Sequence, residues 1–292
     1  MKLCPLCKSI HLELIYQSTL TKPTPTLNQY LCTSSSYGLH GPIYKCLNCS
    51  LVFVVDNAPI KSILNRYQQA QDPLYLAEEA GRIKTFGRHL KILNRLQNPP
   101  GKLLDIGTYT GLFPFLAQKS GWRVWGLEPS KWAVLEAKKK YGLEIKLGLL
   151  KPGLFKPNSF DAVTLWDVIE HFTDPFEAVK TCHSYLKPGA VLALTTIDVD
   201  SLAAKALGHN WPWYMRMHRV YFSKPTIRRL LESAGFKILF FTPHIRYISL
   251  RYLASRFKKL DSASQFLAKN SIGDFLLPFY IGDLFDVYAK KG

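Results

Sequence analysis

Short apolar runs alternate with amphipathic stretches through the middle of this chain. Lys102-Leu-Leu-Asp-Ile106, Val124-Trp-Gly-Leu-Glu128, Leu143-Glu-Ile-Lys-Leu147, the run from Ser159 to Trp166 and Ala190-Val-Leu-Ala-Leu-Thr-Thr196 read as strands. The stretches between them read as helices. Ser130 caps one, with Trp132, Leu135 and Tyr141 as buried positions. Asp174 caps another, Pro175 takes its first position, and Leu186-Lys-Pro-Gly189 ends it. A helix from Lys224 to Ala234, a strand opening at Gly235-Phe236 and a last strand over 283–289 complete the series. Strands alternating with helices predict an α/β domain around a mostly parallel sheet. Upstream, a helical stripe runs from Ile60 to Asp72 until Pro73 interrupts it. A second runs from Leu76 to Leu96 and stops at Asn98-Pro-Pro-Gly101.

The loop after the first of these strands carries the chemistry. The segment Lys102-Leu-Leu-Asp-Ile-Gly-Thr-Tyr-Thr-Gly-Leu-Phe113 reads strand, tight glycine loop, helix start. The following strand ends in an acid, Glu128. Such an order builds a nucleoside crevice, because helix-start N–H groups favour a negative group and a carboxylate accepts from ribose hydroxyls. A dinucleotide loop needs a glycine where Tyr109 stands, so a pyrophosphate fits poorly. Asp105 fits better beside an ammonium group. On these residues the segment resembles the first motif of class I S-adenosylmethionine-dependent methyltransferases, although that loop usually has another glycine at Tyr109. The run Phe160-Asp-Ala-Val163, Asp167-Val-Ile-Glu-His171 and Leu186-Lys-Pro-Gly189 resembles later elements of the same family, as does His218-Arg-Val-Tyr-Phe-Ser223. The likeness covers about residues 82 to 242 and rests on motif order.

The resemblance implies a Rossmann-like seven-stranded sheet, closed by an antiparallel last strand, and S-adenosylmethionine as cofactor. It places Asp105, Gly107, Thr108, Tyr109, Gly111, Glu128 and Asp167 at the cofactor. Relatives carry an adenine-facing acid after the third strand, where Leu149-Leu-Lys151 stand here. His171, following the fourth strand, is the first candidate base, since imidazole titrates near neutrality. His218 and Tyr221 are further pocket candidates. For all three the competing reading is a structural side chain. Positioning donor and acceptor supplies ~7–11 kcal/mol, against roughly 3–5 kcal/mol for a general base. The cofactor residues therefore weigh more than any base.

Six cysteines occur, four of them in the two C-x-x-C pairs Cys4/Cys7 and Cys46/Cys49. Two such turns complete a tetrahedral zinc site, and four thiolates leave no open position, so the metal is read as structural. Ile43-Tyr-Lys45 and Leu51–Val55 flank the second pair as a hairpin, and Leu12–Tyr16 supplies another strand. The N-terminal part resembles a zinc ribbon. Residues 17 to 42, with Pro23, Pro25 and Thr33-Ser-Ser-Ser36, read as a loop inserted in it. Cys32 and Cys182 read as packing cysteines, with Cys32 a minor alternative ligand. The expected organisation is a ribbon over 1–58, a helical cover over 59–99 and a methyltransferase domain over 100–292.

Two further segments have two readings each. Residues 203–219, with Trp211, Trp213 and Tyr214, are either a pocket cover or ordinary core. Residues 245–260 place Leu250, Leu253, Phe257 and Leu260 on one helical stripe, with Arg246, Arg251, Arg256, Lys258 and Lys259 around it. That helix suits an anionic membrane surface, but packing on its own domain is the commoner arrangement.

The chain has 292 residues and is 47% hydrophobic, enough for a core. It has no 18-residue apolar run and no apolar leader, so cytoplasmic residence is expected, with peripheral contact at the inner membrane face a variant. The net charge of +17 leaves nucleic acid, membranes and phosphorylated acceptors open, beside the plain reading of a solvated surface. The favoured acceptor is a small molecule: a sugar, nucleotide sugar, quinone-like or lipid-linked compound. An RNA methyltransferase comes second, without an N-P-P-Y-type loop, and a non-catalytic zinc-ribbon binding protein third.

Overall fold

The computed structural model describes residues 2–20, 26–34, 37–55, 60–256 and 270–292, and the side chains of residues 60–62 are left aside. Two strand systems meet. The N-terminal one begins with β1 (Leu12–Tyr16), β2 (Ile43–Cys46) and β3 (Val52–Val54), all antiparallel. The helices α1 (Ile60–Gln69), α2 (Pro73–Ala77) and α3 (Glu79–Leu96) follow.

The central domain runs β4 (Lys102–Ile106), α4 (Leu112–Lys119), β5 (Arg123–Glu128), α5 (Lys131–Tyr141), β6 (Ile145–Leu147), β7 (Phe160–Trp166), α6 (Pro175–Tyr185) and β8 (Leu186–Ile197). After α7 (Leu202–Leu207) and β9 (Val220–Tyr221) come α8 (Lys224–Ser233), β10 (Phe236–Pro243), β11 (Arg246–Ser249), α9 (Leu250–Ser255), β12 (Leu276–Phe279) and β13 (Leu284–Lys291). The seven-stranded sheet has the order β10-β13-β8-β7-β4-β5-β6. Its five strands β4, β5, β6, β7 and β8 are parallel, and β13 lies antiparallel to both neighbours.

The expected fold class, a Rossmann-like sheet of seven mostly parallel strands, is the one observed. Strands buried on both faces explain their near-continuous apolar runs. The last strand is interior, with β10 outside it, so it fills the sheet rather than closing its edge.

Local signals held where a cap fixes geometry. Ser130 accepts from the Ala133 N–H, and Asp174 accepts from the Glu177 N–H. The phase of α5 differs from the expectation. Ala133 and Ala137 face inward and Leu135 is exposed, while Trp132 and Tyr141 are half-buried. The reason is proximity: a Cβ on Gly111 would sit 2.8 Å from the Ala137 Cβ, so only small side chains fit there. The expected helix over 76–96 is broken at Glu78. Its carboxylate turns inward and accepts the Ser249 N–H at 3.2 Å and the Ser249 hydroxyl at 2.6 Å.

The segment 245–260 begins as strand rather than helix, since β11 pairs with β12 before α9 starts. Its described cations are used internally. Arg251 bridges to Asp274 at 2.7 Å, and Arg256 donates to the Thr33 carbonyl at 2.8 Å. Phe257, Lys258, Lys259 and Leu260 lie outside the described residues, as do Pro23, Pro25, Ser35 and Ser36 of the ribbon loop.

The two strand systems share a core. β9 pairs with β3, opposing Tyr221 to Val52 and Val220 to Phe53. Trp211 and Tyr214 are buried beside Ile43, Val52 and Val54, so the aromatic segment 203–219 supplies core at this junction. Among the described residues no helix is long and apolar enough to cross a membrane.

Candidate active site

The carboxyl ends of β4, β5 and β7 lie side by side in the sheet and bring their loops together. The turn after β4 places Gly107 (φ 71°), Tyr109 (φ 48°) and Gly111 (φ 79°) in the left-handed region. A side chain at Gly107 would meet the Val168 Cγ2 at 2.5 Å, so glycine is required for space as well as conformation. Glu128, at the end of β5, is fully buried. It accepts the Tyr109 N–H at 2.9 Å and the Ser130 N–H at 2.8 Å. Its third donor is the Tyr67 hydroxyl from α1. Burial pushes this carboxyl up to about 7, and those three hydrogen bonds oppose the rise. Asp105 is buried in β4 and accepts from the Thr164 hydroxyl at 2.6 Å. Burial pushes it up to about 8 against that single donor.

An aromatic roof lies beside Glu128. The Tyr109 ring meets Tyr75 of α2 edge-on at 4.4 Å and Trp132 of α5 at 5.7 Å. Arg82 lies over Tyr75 at 3.6 Å. Asp72 holds the roof to the ribbon loop by accepting the Thr33 N–H at 2.9 Å. Cys32 hydrogen-bonds to Tyr109 and is thus placed at the roof, away from the four-cysteine cluster.

Asp167 leaves the end of β7 exposed and in the left-handed region, φ 55°. Glu170 and His171 follow in a short 3-10 turn. His171 is half-buried, and its Nδ1 lies 3.0 Å from the Met217 carbonyl. His218 is buried, with its Nδ1 2.9 Å from the Trp213 carbonyl. The two imidazoles stand 5.0 Å apart. Burial lowers the basicity of both, His218 strongly, with the neighbouring His171 adding to its fall. Tyr221 is fully buried against Tyr214, at 4.9 Å, within the ribbon junction. The structure thus brings His171 and His218 together, whereas Tyr221 belongs to the interface strand β9.

The crevice suits the cofactor that its loop suggests. The Thr108 hydroxyl is buried in the loop without a partner among the described residues, and Glu128 holds a hydroxyl where a ribose would offer two. Asp105 and the loop from Gly107 to Gly111 would hold the amino-acid end of S-adenosylmethionine, and Glu128 its ribose.

At the other pole, Cys4, Cys7, Cys46 and Cys49 offer sulfurs within 4.8 Å of one another. Cys4 Sγ lies 3.5 Å from Cys49 Sγ, and Cys7 Sγ lies 3.5 Å from Cys46 Sγ. That is too long for a disulfide and near the ~3.8 Å edge of a tetrahedron with Zn–S bonds of ~2.3 Å.

Sequence reasoning quoted Glu170 within a motif but gave it no role. It missed Tyr67 and Tyr75, whose helices offered no signal of which face meets the crevice. It also missed the buried trio His89, His244 and Asp286, which come from three distant segments.

Comparisons with known proteins agree with this geometry. Residues 82–240, more than half of the chain, match the family described as a methyltransferase domain. A ubiquinone biosynthesis O-methyltransferase of Xanthomonas campestris is 28% identical over 111 residues, covering 36% of this chain and 46% of the relative. One from Dinoroseobacter shibae is 27% identical over 173 residues, 51% of this chain and 64% of that protein. The chain thus spans about half the length of the first of these relatives. A Bacillus halodurans C-125 protein proposed to be a methyltransferase superposes with a TM-score of 0.52 at 16% identity, over 70% of this chain and 99% of its own. That last likeness speaks for the fold alone. Family match, sheet order and crevice together identify the chain as a member of the methyltransferase-domain family, a class I S-adenosylmethionine-dependent methyltransferase.

Proposed function

We propose that the chain methylates a small-molecule acceptor with an ionisable hydroxyl, a quinone-like, sugar or lipid-linked compound. The observation that supports this reading is the pair of buried carboxylates at the carboxyl ends of neighbouring parallel strands. Glu128 takes the Tyr67 hydroxyl and the Tyr109 N–H, and the Tyr109 ring packs against Tyr67 and Tyr75, while Asp105 is buried beside it in β4. The O-methyltransferase relatives support it.

S-adenosylmethionine, when bound, supplies a methyl group already activated by a positive sulfur. The work left to this chain is orientation and exclusion of water. Glu128 holds the ribose through an acceptor geometry fixed by two backbone N–H groups. The neutral tendency of Asp105 reverses when a cationic ammonium lies beside it. Asp167 and His171 border the acceptor side. Zinc in the four-cysteine cluster has a structural role, because the ribbon it would hold supplies β3 as partner of β9. The segments 1–58, 59–99 and 100–292 then work as anchor, roof and transferase.

Calorimetry with S-adenosylmethionine is the direct test. Glu128→Ala should weaken binding by about 10²-fold, since it removes the charged acceptor proposed for the ribose hydroxyls, at ~1.5–3 kcal/mol for a hydrogen bond to a charged group. Unchanged affinity would remove the crevice from consideration. Labelled-methyl incorporation into metabolite, lipid and RNA fractions identifies the acceptor. A steep loss of affinity with salt in the RNA fraction would replace the small-molecule reading.

A further inference from the structure

Helix α3 and strand β11 meet backbone to backbone. A Cβ on Gly81 would sit 2.2 Å from the Tyr247 carbonyl oxygen, so only glycine permits this approach. The Tyr247 N–H donates to the Thr85 hydroxyl at 3.0 Å, and buried Glu78 holds the Ser249 hydroxyl at 2.6 Å. The contact brings Arg82, next to Gly81, and Arg246, next to Tyr247, into one neighbourhood. Both are half-buried, and each guanidinium lies against rings. Arg82 is over Tyr75 at 3.6 Å, and Arg246 is 5.2 Å from the Trp213 ring and 5.6 Å from the Phe279 ring. Stacking occupies the face of a guanidinium and leaves its N–H edge for hydrogen bonds.

These two edges are under-used. Arg82 donates its Nε to the Tyr75 carbonyl at 3.4 Å, while the Arg246 Nε is buried with no hydrogen-bond partner among the described residues. Among those residues neither arginine forms an ion pair. The acids nearby serve other donors: Asp72 holds Thr33, Glu78 holds Ser249 and Asp274 holds Arg251. A third cation adds to the charge. Burial raises the Tyr252 hydroxyl, and the charges of Arg256, Arg82 and Arg246 all oppose that rise. Withdrawing cations from water without a counter-charge is costly, so the arrangement calls for an anion. It also borders the acceptor side. Trp213 stacks on His218 at 6.0 Å, and His218 stands 5.0 Å from His171. At Tyr75, burial raises the hydroxyl, Arg82 opposes the rise and Asp167 adds to it, which sets Arg82 and Asp167 around one ring.

We propose that Arg82 and Arg246 form a clamp for a phosphate group of the acceptor. Two fixed cations match a doubly charged phosphate, and planar forks of N–H groups fit its oxygens in pairs. The inference rests on the methyltransferase reading and narrows its acceptors to sugar phosphates, nucleotide sugars and lipids carried on phosphate. No bond is made or broken at the clamp. It fixes one end of the acceptor, so that the hydroxyl at the other end is held for transfer.

The test is calorimetry on the full chain with inorganic pyrophosphate and with uridine diphosphate, in the presence and absence of S-adenosylmethionine, beside sedimentation with phosphatidylglycerol vesicles. The unaltered protein should bind a phosphate probe. Arg82→Gln and Arg246→Gln should each weaken that binding by about tenfold or more, as expected for lost hydrogen bonds between charged groups. Arg228→Gln removes an equal charge from the exposed pair with Glu232 and should change affinity by less than about twofold, because solvent screens it. Arg82→Lys keeps the charge without the fork. It should weaken binding as well, and it decides where a glutamine variant fails to fold. Vesicle binding that these substitutions abolish assigns the phosphate to a lipid, and uridine diphosphate binding without vesicle binding assigns it to a soluble acceptor. Failure to bind any of the three probes, or an equal loss in Arg228→Gln, overturns the clamp. S-adenosylmethionine titrated into the same samples keeps the two ideas apart. Cofactor binding without phosphate binding sinks only the clamp, and phosphate binding without cofactor binding sinks only the methyltransferase reading.

Discussion

Two histidine pairs face carboxylates on opposite sides of one strand, and their hydrogen bonding differs in kind. The neighbouring residues Thr195 and Thr196 of β8 point to opposite faces, as strand geometry requires. Thr195 donates to Asp286 at 2.7 Å, and Thr196 donates to Glu170 at 3.0 Å. On the Asp286 side, His244 Nδ1 lies 2.8 Å from one carboxylate oxygen and His89 Nε2 lies 3.3 Å from the other. Thr242 adds a further donor at 3.3 Å. Every short contact there can be filled by a proton already on the side chains. On the Glu170 side the histidine protons point away, to carbonyls. Both trios pass a distance criterion for metal binding. In the second, the donor that the carboxylate meets is the Thr196 hydroxyl rather than an imidazole.

The same rule orders the buried carboxylates. Burial raises all four. Asp286, with two imidazoles and two threonines, is nevertheless held well below the usual carboxylate range. Glu128, with three donors, is pushed up to about 7. Asp105, with Thr164 alone, is pushed up to about 8. Glu170 is also pushed up to about 8, by burial and then by the charge of Asp167, against Thr196 and its own backbone N–H.

The sharpest way to break the comparison is Asp286→Ala. It strips two imidazoles and two threonines of their shared acceptor inside the sheet. A loss of about 3–5 kcal/mol in denaturant unfolding is expected, the cost of removing one partner of a buried charged cluster. An unfolding free energy equal to that of the unaltered protein would mean that Asp286 does not hold the two imidazoles and two threonines together.

Asp105→Asn gives a smaller effect, visible in its pH dependence. The folded-state pKa of Asp105 is raised from 3.8 to about 8. The folded protein therefore binds more protons than the unfolded chain between those values, and stability falls as pH rises through that window. Asparagine keeps the Thr164 contact and has no charge to lose. Unfolding free energies measured from pH 4 to 8 should decline less steeply in the variant. An unchanged slope would mean that Asp105 is ionised in the folded state and better solvated than its burial implies.

Why some of this was legible in the sequence and some was not follows from distance along the chain. The glycine loop, Glu128 and the two cysteine pairs carry their meaning within a few residues of a strand end or turn. Backbone geometry there fixes the side chains. The caps Ser130 and Asp174 were readable for the same reason. His89, His244 and Asp286 meet only because β10, β13 and α3 converge, and no short window contains two of them. Glu170 stood beside His171 in the quoted motif. What it does depends on the Thr196 hydroxyl, which β8 brings to it from elsewhere in the chain. The break at Glu78 was hidden for a similar cause, because Ser249 draws it inward.

The smallest expected effect concerns Tyr67, the third donor to Glu128. Its hydroxyl comes from the roof helix α1 and takes acceptor capacity that a ribose would use. If roof and cofactor compete for this carboxylate, Tyr67→Phe should tighten S-adenosylmethionine binding. One net hydrogen bond is worth about 0.5–1.5 kcal/mol, so the gain is roughly 2–10-fold at the tenfold-per-1.4 kcal/mol conversion. The phenyl ring keeps the contact with Tyr109, at 6.5 Å between ring centres, so packing of the roof should hold. Weaker binding in the variant would give the hydroxyl the opposite part. It would then orient Glu128 toward the cofactor, and the roof would assemble the site rather than compete for it.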